Sequence, residues 1–295
     1  MGLVVVHGIW NRQRGMSLQA AAEGLAERAR SHVRKGLTAA GLVDVPVPNV
    51  VMAYYAHLLD DASEEQAGEP ADPLEGLSEH VEERLREWLR AAGVPEPTGT
   101  QAMMWAPLRG ALGWLARQRL HELGEDASPT RREEFVRRWS RAFVASIREV
   151  DAYTSIRSRR LAVRNLVANR IRETCPRVVV AHSLGSVVAY ETLHAYPDLR
   201  VELLVTVGSP LAVSGIFPVL EPEPHHGLGK RPAGVDRWLN IADVGDFVAT
   251  PAELGGLFSG VEHETVDAKI ADPHTLGMYL GHRLTAAAIA PYLAL

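Results

Sequence analysis

The chain has 295 residues, of which 46% are hydrophobic and 23% charged, and its net charge at pH 7 is −5. This composition is typical of a globular protein and excludes a disordered, collagen-like or coiled-coil chain, while the slight acidity argues against a nucleic-acid binder. Cys175 is the only cysteine, which excludes an internal disulfide framework and a cysteine-based zinc site. No apolar run reaches the roughly 18 to 20 residues of a membrane span, and the N-terminus lacks the basic region of a signal peptide. We therefore expect a cytoplasmic protein with no stable membrane span.

Five or six short apolar runs, bounded by turn signals, predict β-strands. The first four are nearly continuous in Val, Leu and other apolar residues, which is typical of strands buried on both faces of a parallel sheet. The last two are more polar and are expected nearer an edge of the sheet. In chain order the runs cover residues 3–6, 50–54, 178–181, 201–207, 235–241 and 261–266.

Helical patterns alternate with these strands, over residues 17–40, 184–195 and 275–293. Strands that alternate with helices predict an α/β fold with right-handed crossovers. The exception is the stretch between the second and third strands, residues 56–176, which is too long for a simple crossover.

Residues 56–176 form a predicted helical insertion, and residues 1–55 and 177–295 together form the predicted core. The insertion begins acidic, continues through the apolar segment QAMMWAPLRGALGWLARQRL and ends rich in arginine. Near its end, apolar side chains recur at spacings of three and four, which predicts one face of an amphipathic helix. They are Phe135, Trp139, Phe143, Ile147 and Val150.

The strongest chemical signal is the segment Ala181-His182-Ser183-Leu184-Gly185, where a buried strand runs into a helical pattern. This is the strand–turn–helix context of a G-x-S-x-G nucleophile elbow, with alanine in place of the first glycine. The turn lifts the hydroxyl of Ser183 out of the sheet, and the N–H of Leu184 can point at an oxyanion. The alternative is an ordinary turn in which Ser183 only caps the helix.

The first predicted strand ends in His7-Gly8, and this loop is the second signal. An oxyanion hole needs another N–H donor on a loop after a neighbouring strand. Gly8 would let the loop approach closely and Ile9 would present its N–H. The alternative is a plain exit from the strand.

With these motifs, the sequence resembles the α/β-hydrolase superfamily, and within it the lipase-like serine hydrolases that begin with a strand and a His-Gly oxyanion loop. The resemblance covers residues 1–55 and 177–295 but not the insertion. It implies an α/β-hydrolase fold, with a mostly parallel sheet covered by helices on both faces and a helical cap. It also implies a catalytic triad in the chain order Ser, Asp, His, which Ser183, Asp246 and His274 obey.

The acid and the base of this triad each have rivals. Asp246 lies in Gly-Asp-Phe-Val, which resembles the family's Gly-Asp-Pro-Val type of loop, but Asp243 lies only three residues earlier. Either aspartate could instead cap a helix that begins near residue 251. His274 falls between the last strand and the final helix, where the family has its base, and we expect His263 in the strand and His282 in the helix to be structural.

Other motifs do not support a metal or a cofactor. The sequence holds no H-E-x-x-H, and His225-His226 lacks companions at ligand spacing. The segment 227–230 lacks the upstream glycine and the Ser/Thr of a P-loop, and no G-x-G-x-x-G follows a strand. We predict no cofactor.

The insertion has three candidate roles. Its apolar segment could pack as a helical cap, or line an acyl-binding wall or mobile lid in which Met104 and Trp105 bind substrate. It could also dock on a membrane surface. The arginine-rich stretch could attract anionic headgroups, pair with the acidic residues 60–96 or face solvent.

These observations predict a serine hydrolase that cleaves a carboxylic ester of a small-molecule or lipid acyl substrate. A serine peptidase, a thioesterase or an acyltransferase would use the same groups. The alternative from another class is a non-catalytic interaction module on the hydrolase scaffold. No feature of the sequence predicts an oligomeric state.

Overall fold

The protein is an α/β structure built on a six-stranded sheet. The computed structural model describes residues 2–59, 72, 74–91, 93–94, 106–118, 128–249, 253–254, 256–268 and 274–293. The strand order in the sheet is β2-β1-β3-β4-β6-β8, and every neighbouring pair is parallel. These strands are β1 (Gly2–Val6), β2 (Asn49–Ala53), β3 (Val178–His182), β4 (Val201–Val207), β6 (Val235–Asp243) and β8 (Glu262–Val266). A separate two-stranded parallel ribbon joins β5 (Gly229–Lys230) to β7 (Phe258–Ser259).

All six predicted strands are present in this sheet. Alternate residues of a strand point to opposite faces. Leu3 and Val5 accordingly join one hydrophobic cluster, and Val4 and Val6 join the other. Because helices cover both faces of the sheet, side chains that point to either face are buried. The strands therefore do not alternate apolar and polar residues, which explains the continuous apolar runs. The more polar β8 forms the edge next to β6, as its composition predicts.

Helices cover both faces. The helix α1 (Leu18–Ala39) begins at Ser17, whose side chain accepts the Ala20 N–H, and packs on one face with α7 (Leu276–Gly281) and α8 (Arg283–Ile289). The opposite face carries α5 (Arg157–Thr174) and α6 (Leu184–Ala195). This six-stranded arrangement fits an α/β-hydrolase fold.

In the part of the predicted insertion that the structure describes, three α-helices precede α5. They are α2 (Glu79–Ala91), α3 (Ala106–Gln118) and α4 (Pro129–Ser155). The predicted amphipathic face lies on α4, where Phe143, Ile147 and Val150 are buried. These side chains join the same hydrophobic cluster as β1, β3 and α6, so the insertion and the sheet share one core.

The prediction of one final helix over residues 275–293 is wrong. The segment breaks at His282, whose backbone is extended, and continues as α8 and a short 3-10 turn over Ala290–Tyr292. The His282 ring caps the second piece, because its Nδ1 accepts the Leu284 N–H at 3.3 Å. A side chain that competes for a backbone N–H in this way ends one helix and starts the next. Among the described residues, none of the helices combines the length and apolarity that a membrane crossing needs.

Candidate active site

The predicted catalytic residues lie at the carboxyl ends of the parallel strands, along one edge of the sheet. The chain leaves β1 for β2 on one side and returns to β3 on the other, so β1 and β3 flank the point where the strand order reverses. In open α/β sheets, ligands bind in the crevice at such a switch point. The His7-Gly8 loop follows β1 and Ser183 follows β3, so both lie beside this crevice.

Ser183 occupies a strained turn between β3 and α6. Its φ of 53° and ψ of −132° lie in a region that non-glycine residues rarely adopt. Such a conformation costs on the order of 1–3 kcal/mol and clusters at active sites. The Ser183 N–H donates to the carbonyl of Val207 at 3.1 Å, which ties the turn to β4. The Ser183 side chain makes no capping bond to α6, so an ordinary N-cap does not describe it.

Two glycines allow the turn and the His7-Gly8 loop to touch. A Cβ at Gly8 would lie 2.5 Å from the Cβ of Ser183, and a Cβ at Gly185 would overlap the carbonyl oxygens of Val6 and His7. Neither position can hold a larger side chain without a backbone shift. The loop after β1 and the start of α6 are therefore packed backbone to backbone.

The structure brings the side chains of Ser183, His274 and Asp246 into one hydrogen-bonded chain. His274 Nε2 lies 2.9 Å from Ser183 Oγ, and His274 Nδ1 lies 2.8 Å from Asp246 Oδ2. A carboxylate can only accept, so the proton of neutral His274 lies on Nδ1 and Nε2 is free to accept the serine proton. All three residues are buried.

Asp246 is held in its ionised form. Burial alone would raise its pKa, but the His274 ring and the hydrogen bonds from His274 and Tyr279 outweigh burial and lower the pKa below its ordinary value. Tyr279 donates its hydroxyl to Asp246 Oδ2 at 2.7 Å, and the Val248 N–H donates to Oδ1 at 3.0 Å. The carboxylate thus stays charged and fixed against His274.

Asp243, the rival acid, faces elsewhere. Its Oδ1 accepts the Gly245 N–H at 2.8 Å and its Oδ2 accepts the Ala268 N–H at 2.7 Å. Both oxygens therefore fix the turn after β6 to the chain that leaves β8. The other two histidines also lie away from Ser183: His263 bonds to Asn240 on β6 and His282 caps α8.

His182, directly before the serine, supports His274 and was not assigned a role from the sequence. The two rings lie 4.8 Å apart, and His182 Nε2 is 3.1 Å from the backbone carbonyl of His274. Complete burial, with a smaller effect from His274, lowers the pKa of His182 to about 3. His182 is therefore neutral and donates its Nε2–H to that carbonyl. The sequence feature that could have pointed to this role is the position of His182 directly before Ser183 in the elbow motif.

His7 braces the loop after β1. Its Nδ1–H donates to the Gly8 carbonyl at 2.7 Å, and its Nε2 accepts the Tyr55 N–H at 3.1 Å. The ring stacks on Tyr55 with the centroids 4.2 Å apart, and the Tyr55 hydroxyl donates to the His7 carbonyl at 2.6 Å. Burial lowers the pKa of His7 to about 4, so the ring is neutral and serves as a structural bridge.

The two predicted oxyanion donors belong to the two segments that meet at Ser183, the loop after β1 and the start of α6. Leu184 is the first residue of α6, where backbone N–H groups have no partner within the helix. Ile9 is buried and follows Gly8, which touches the elbow. The predicted substrate-binding residues Met104 and Trp105 lie outside the described residues. Within the described ranges, His, Cys, Asp and Glu side chains form no group of three or more that could hold a metal ion.

Comparisons with known proteins add little to this geometry. No protein-family model matches the chain, and no curated protein matches its sequence. A solved structure, the esterase domain from a Rhodothermus marinus protein, aligns over 99% of this chain and 87% of its own, with 11% identity and a TM-score of 0.35.

Proposed function

We propose that the protein is a serine hydrolase that cleaves carboxylic esters through an acyl-enzyme intermediate. The observation that carries the proposal is the chain of contacts from Ser183 Oγ to His274 Nε2, at 2.9 Å, and from His274 Nδ1 to Asp246 Oδ2, at 2.8 Å. A nucleophile, a base and a group that orients the base are the parts that covalent acyl transfer requires.

The proposed reaction has two halves. Ser183 Oγ attacks the acyl carbonyl while its proton passes to His274 Nε2, and Asp246 stabilises the imidazolium that forms. The carbonyl oxygen becomes an oxyanion held by the N–H groups of Leu184 and Ile9. The tetrahedral intermediate then collapses, the bond to the leaving alkoxide breaks, and His274 gives the proton to it. Water repeats these steps on the acyl-serine and releases the carboxylic acid.

The strain at Ser183 argues against a non-catalytic interaction module. A backbone at φ 53° has a cost in stability that a binding surface elsewhere on the fold would not require. A serine peptidase, a thioesterase and an acyltransferase need the same residues, so the choice of substrate class depends on turnover measurements.

The first test is labelling with a fluorophosphonate probe. Ser183 should attack the phosphorus, release fluoride and become labelled, and Ser183→Ala should abolish both labelling and ester turnover. Loss of the nucleophile should lower kcat by on the order of 10⁴ or more. Ser214→Ala, which alters an exposed serine, is the matched control and should behave as the wild type. Near-wild-type turnover in Ser183→Ala would overturn the proposal.

The second test identifies the substrate. Purified protein is assayed with esters of two to eight acyl carbons, with matched thioesters and amides, and with an added acceptor alcohol. The proposal expects ester hydrolysis to dominate, whereas product seen only with the alcohol would indicate an acyltransferase.

The acyl-binding role of Met104 and Trp105 stays a prediction. Truncating both to Ala should lower kcat/KM more for the eight-carbon ester than for the two-carbon ester, because each buried CH₂ contributes about 0.8 kcal/mol.

A further inference from the structure

We propose that Asn11 and Glu149 are positioning residues that fix the oxyanion loop, defined as residues 7–10, so that the Ile9 N–H faces Ser183. The inference rests on the proposed function, since it concerns the same oxyanion. Neither residue touches the reacting atoms; each acts through the backbone of the loop.

Side-chain donors hold three consecutive carbonyl groups of the loop. The His7 carbonyl accepts from the Tyr55 hydroxyl, and the Gly8 carbonyl accepts from His7 Nδ1 at 2.7 Å. Asn11 Nδ2 donates to the Gly8 carbonyl at 3.1 Å and to the Ile9 carbonyl at 2.8 Å. The Gly8 oxygen therefore has two donors, and the two Nδ2 hydrogens of Asn11 bridge successive peptide groups.

This arrangement fixes the direction of the Ile9 N–H. The Gly8 carbonyl and the Ile9 N–H belong to one planar trans peptide group and point in opposite directions. Two donors on the Gly8 oxygen therefore prevent the peptide from rotating. Because Gly8 is packed against the Cβ of Ser183, the N–H of the next residue is held beside the elbow.

Glu149 holds the far end of the loop from another part of the chain. Trp10 has a φ of 61°, which is unfavourable for a residue with a side chain, and its N–H donates to Glu149 Oε1 at 3.2 Å. Glu149 lies on α4, within the insertion, 139 residues away in sequence. Burial raises the pKa of Tyr55, and the charge of Glu149 raises it further.

The test of Asn11 removes its donors without a large change in shape. In Asn11→Asp and Asn11→Ala, we expect kcat to fall about 10-fold to 100-fold with little change in KM. The upper limit is the roughly 10²- to 10³-fold loss seen when an oxyanion donor is deleted outright. Gln13→Glu adds the same charge two residues further along the chain and is the matched control; it should retain wild-type kcat. Rates are normalised to the fraction of protein that the fluorophosphonate probe labels at completion, so that misfolded protein does not count.

A second readout separates positioning from stability. A boronic acid that forms a tetrahedral adduct with Ser183 should bind more weakly to the Asn11 variants by about the same factor as the loss in kcat, while KM for the ester changes little. A variant that only folds less well would lose labelled protein and melting temperature, but each remaining active site would keep its kcat and its boronate affinity.

For Glu149, the conservative variant is the main control. Glu149→Gln keeps an acceptor oxygen for the Trp10 N–H and should stay within about threefold of wild-type kcat, whereas Glu149→Ala should lose about 10-fold. Glu134→Ala, at an exposed position of the same helix, should have no effect. If Ser183 is labelled and the wild type turns over, but the Asn11 and Glu149→Ala variants keep full kcat per labelled site, the inference is wrong and the proposed function survives. Loss of labelling in the wild type would instead overturn the proposed function.

Discussion

Replacing Asp246 by Asn tests the catalytic proposal most directly, because it changes the donor pattern without changing the shape. In the wild type, Oδ2 accepts from His274 Nδ1 and from the Tyr279 hydroxyl, and Oδ1 accepts from the Val248 N–H. An amide has only one oxygen for these two positions. If the oxygen stays on the Val248 side, the new NH₂ group faces His274, and the ring must move its proton to Nε2. The base then presents an N–H to Ser183 and cannot accept its proton.

The size of the loss depends on which way the amide turns. The wrong tautomer should lower kcat by about 10⁴, which corresponds to about 5.4 kcal/mol of transition-state stabilisation. If the oxygen instead faces His274, the tautomer is kept but an N–H is aimed at the Val248 N–H, at a cost of about 1–3 kcal/mol for a buried unsatisfied donor. The imidazolium would also lose its anionic partner. We therefore expect the first orientation and a loss of three to four orders of magnitude.

The assay compares kcat of wild type, Asp246→Asn and Asp243→Asn on one ester, with urea unfolding as a check on stability. Asp243→Asn is the matched control, because its oxygens accept the backbone N–H groups of Gly245 and Ala268. It should lose about 1–3 kcal/mol of stability through an unsatisfied N–H, and less than 10-fold in kcat. A folded Asp246→Asn protein within 10-fold of wild type would refute the reasoning, as would a larger kcat loss in Asp243→Asn.

Three further predictions concern stability and packing. In the folded protein, His7 has a pKa of about 4 and His182 a pKa of about 3, both well below the ordinary 6.5. Between pH 6.5 and 4.5 the unfolded chain therefore binds more protons than the folded protein. As the pH is lowered through this range, the free energy of unfolding should decrease by up to about 1.4 kcal/mol per pH unit for each ring. Urea unfolding at pH 6.5, 5.5 and 4.5 should show a shallower fall in His182→Gln than in the wild type, and equal slopes would contradict the assigned neutral state. Glu191→Gln breaks a fully buried pair with Arg160 and should cost about 3–5 kcal/mol, whereas Glu202→Gln, which breaks the more exposed pair with Arg177, should barely move the Tm. Gly208→Ala should lower kcat at least 10-fold, since its φ is +54° and a Cβ there would lie 2.9 Å from Asp246 Oδ2 and 2.8 Å from the Tyr279 ring. Gly227→Ala, at φ +73° with open space around it, carries the same kind of backbone strain and should keep wild-type kcat, so equal losses in the two glycine variants would show that strain alone is responsible.

The sheet could be predicted because its signal is local. A strand buried on both faces is apolar at nearly every position, and the runs in β1, β3 and β4 come close to this, with Glu202 and Thr206 the polar residues within β4. The elbow could be predicted for the same reason, since Ser183 and its small neighbour Gly185 lie within one short segment. The break in the final helix could not, because it depends on how the ring of His282 turns rather than on helix propensity.

The supporting residues of the site were beyond sequence reasoning because their partners are distant in the chain. Nothing in the order of residues pairs Tyr279 with Asp246, or Glu149 with Trp10, until the fold places them together. The sequence could not decide between Asp243 and Asp246 either, because the direction of each side chain depends on the fold. The two residues lie three positions apart, and it is the carboxylate of Asp246 that contacts His274. The catalytic roles of Ser183, Asp246 and His274 stay predictions until turnover is measured.

The buried carboxylate of Glu191 has a consequence for how this protein can vary among relatives. Glu191 lies on α6, but its partners Tyr153, Arg160 and Arg164 all come from helices between β2 and β3. A shortened chain that joins residues 1–55 to 177–295 would keep Ser183, Asp246 and His274, yet it would leave a fully buried carboxylate without those partners. Such a charge is strongly destabilising. We therefore expect homologous chains with a short connection between β2 and β3 to carry an apolar residue where this one has Glu191, and chains with the long connection to keep the acid and the arginines together.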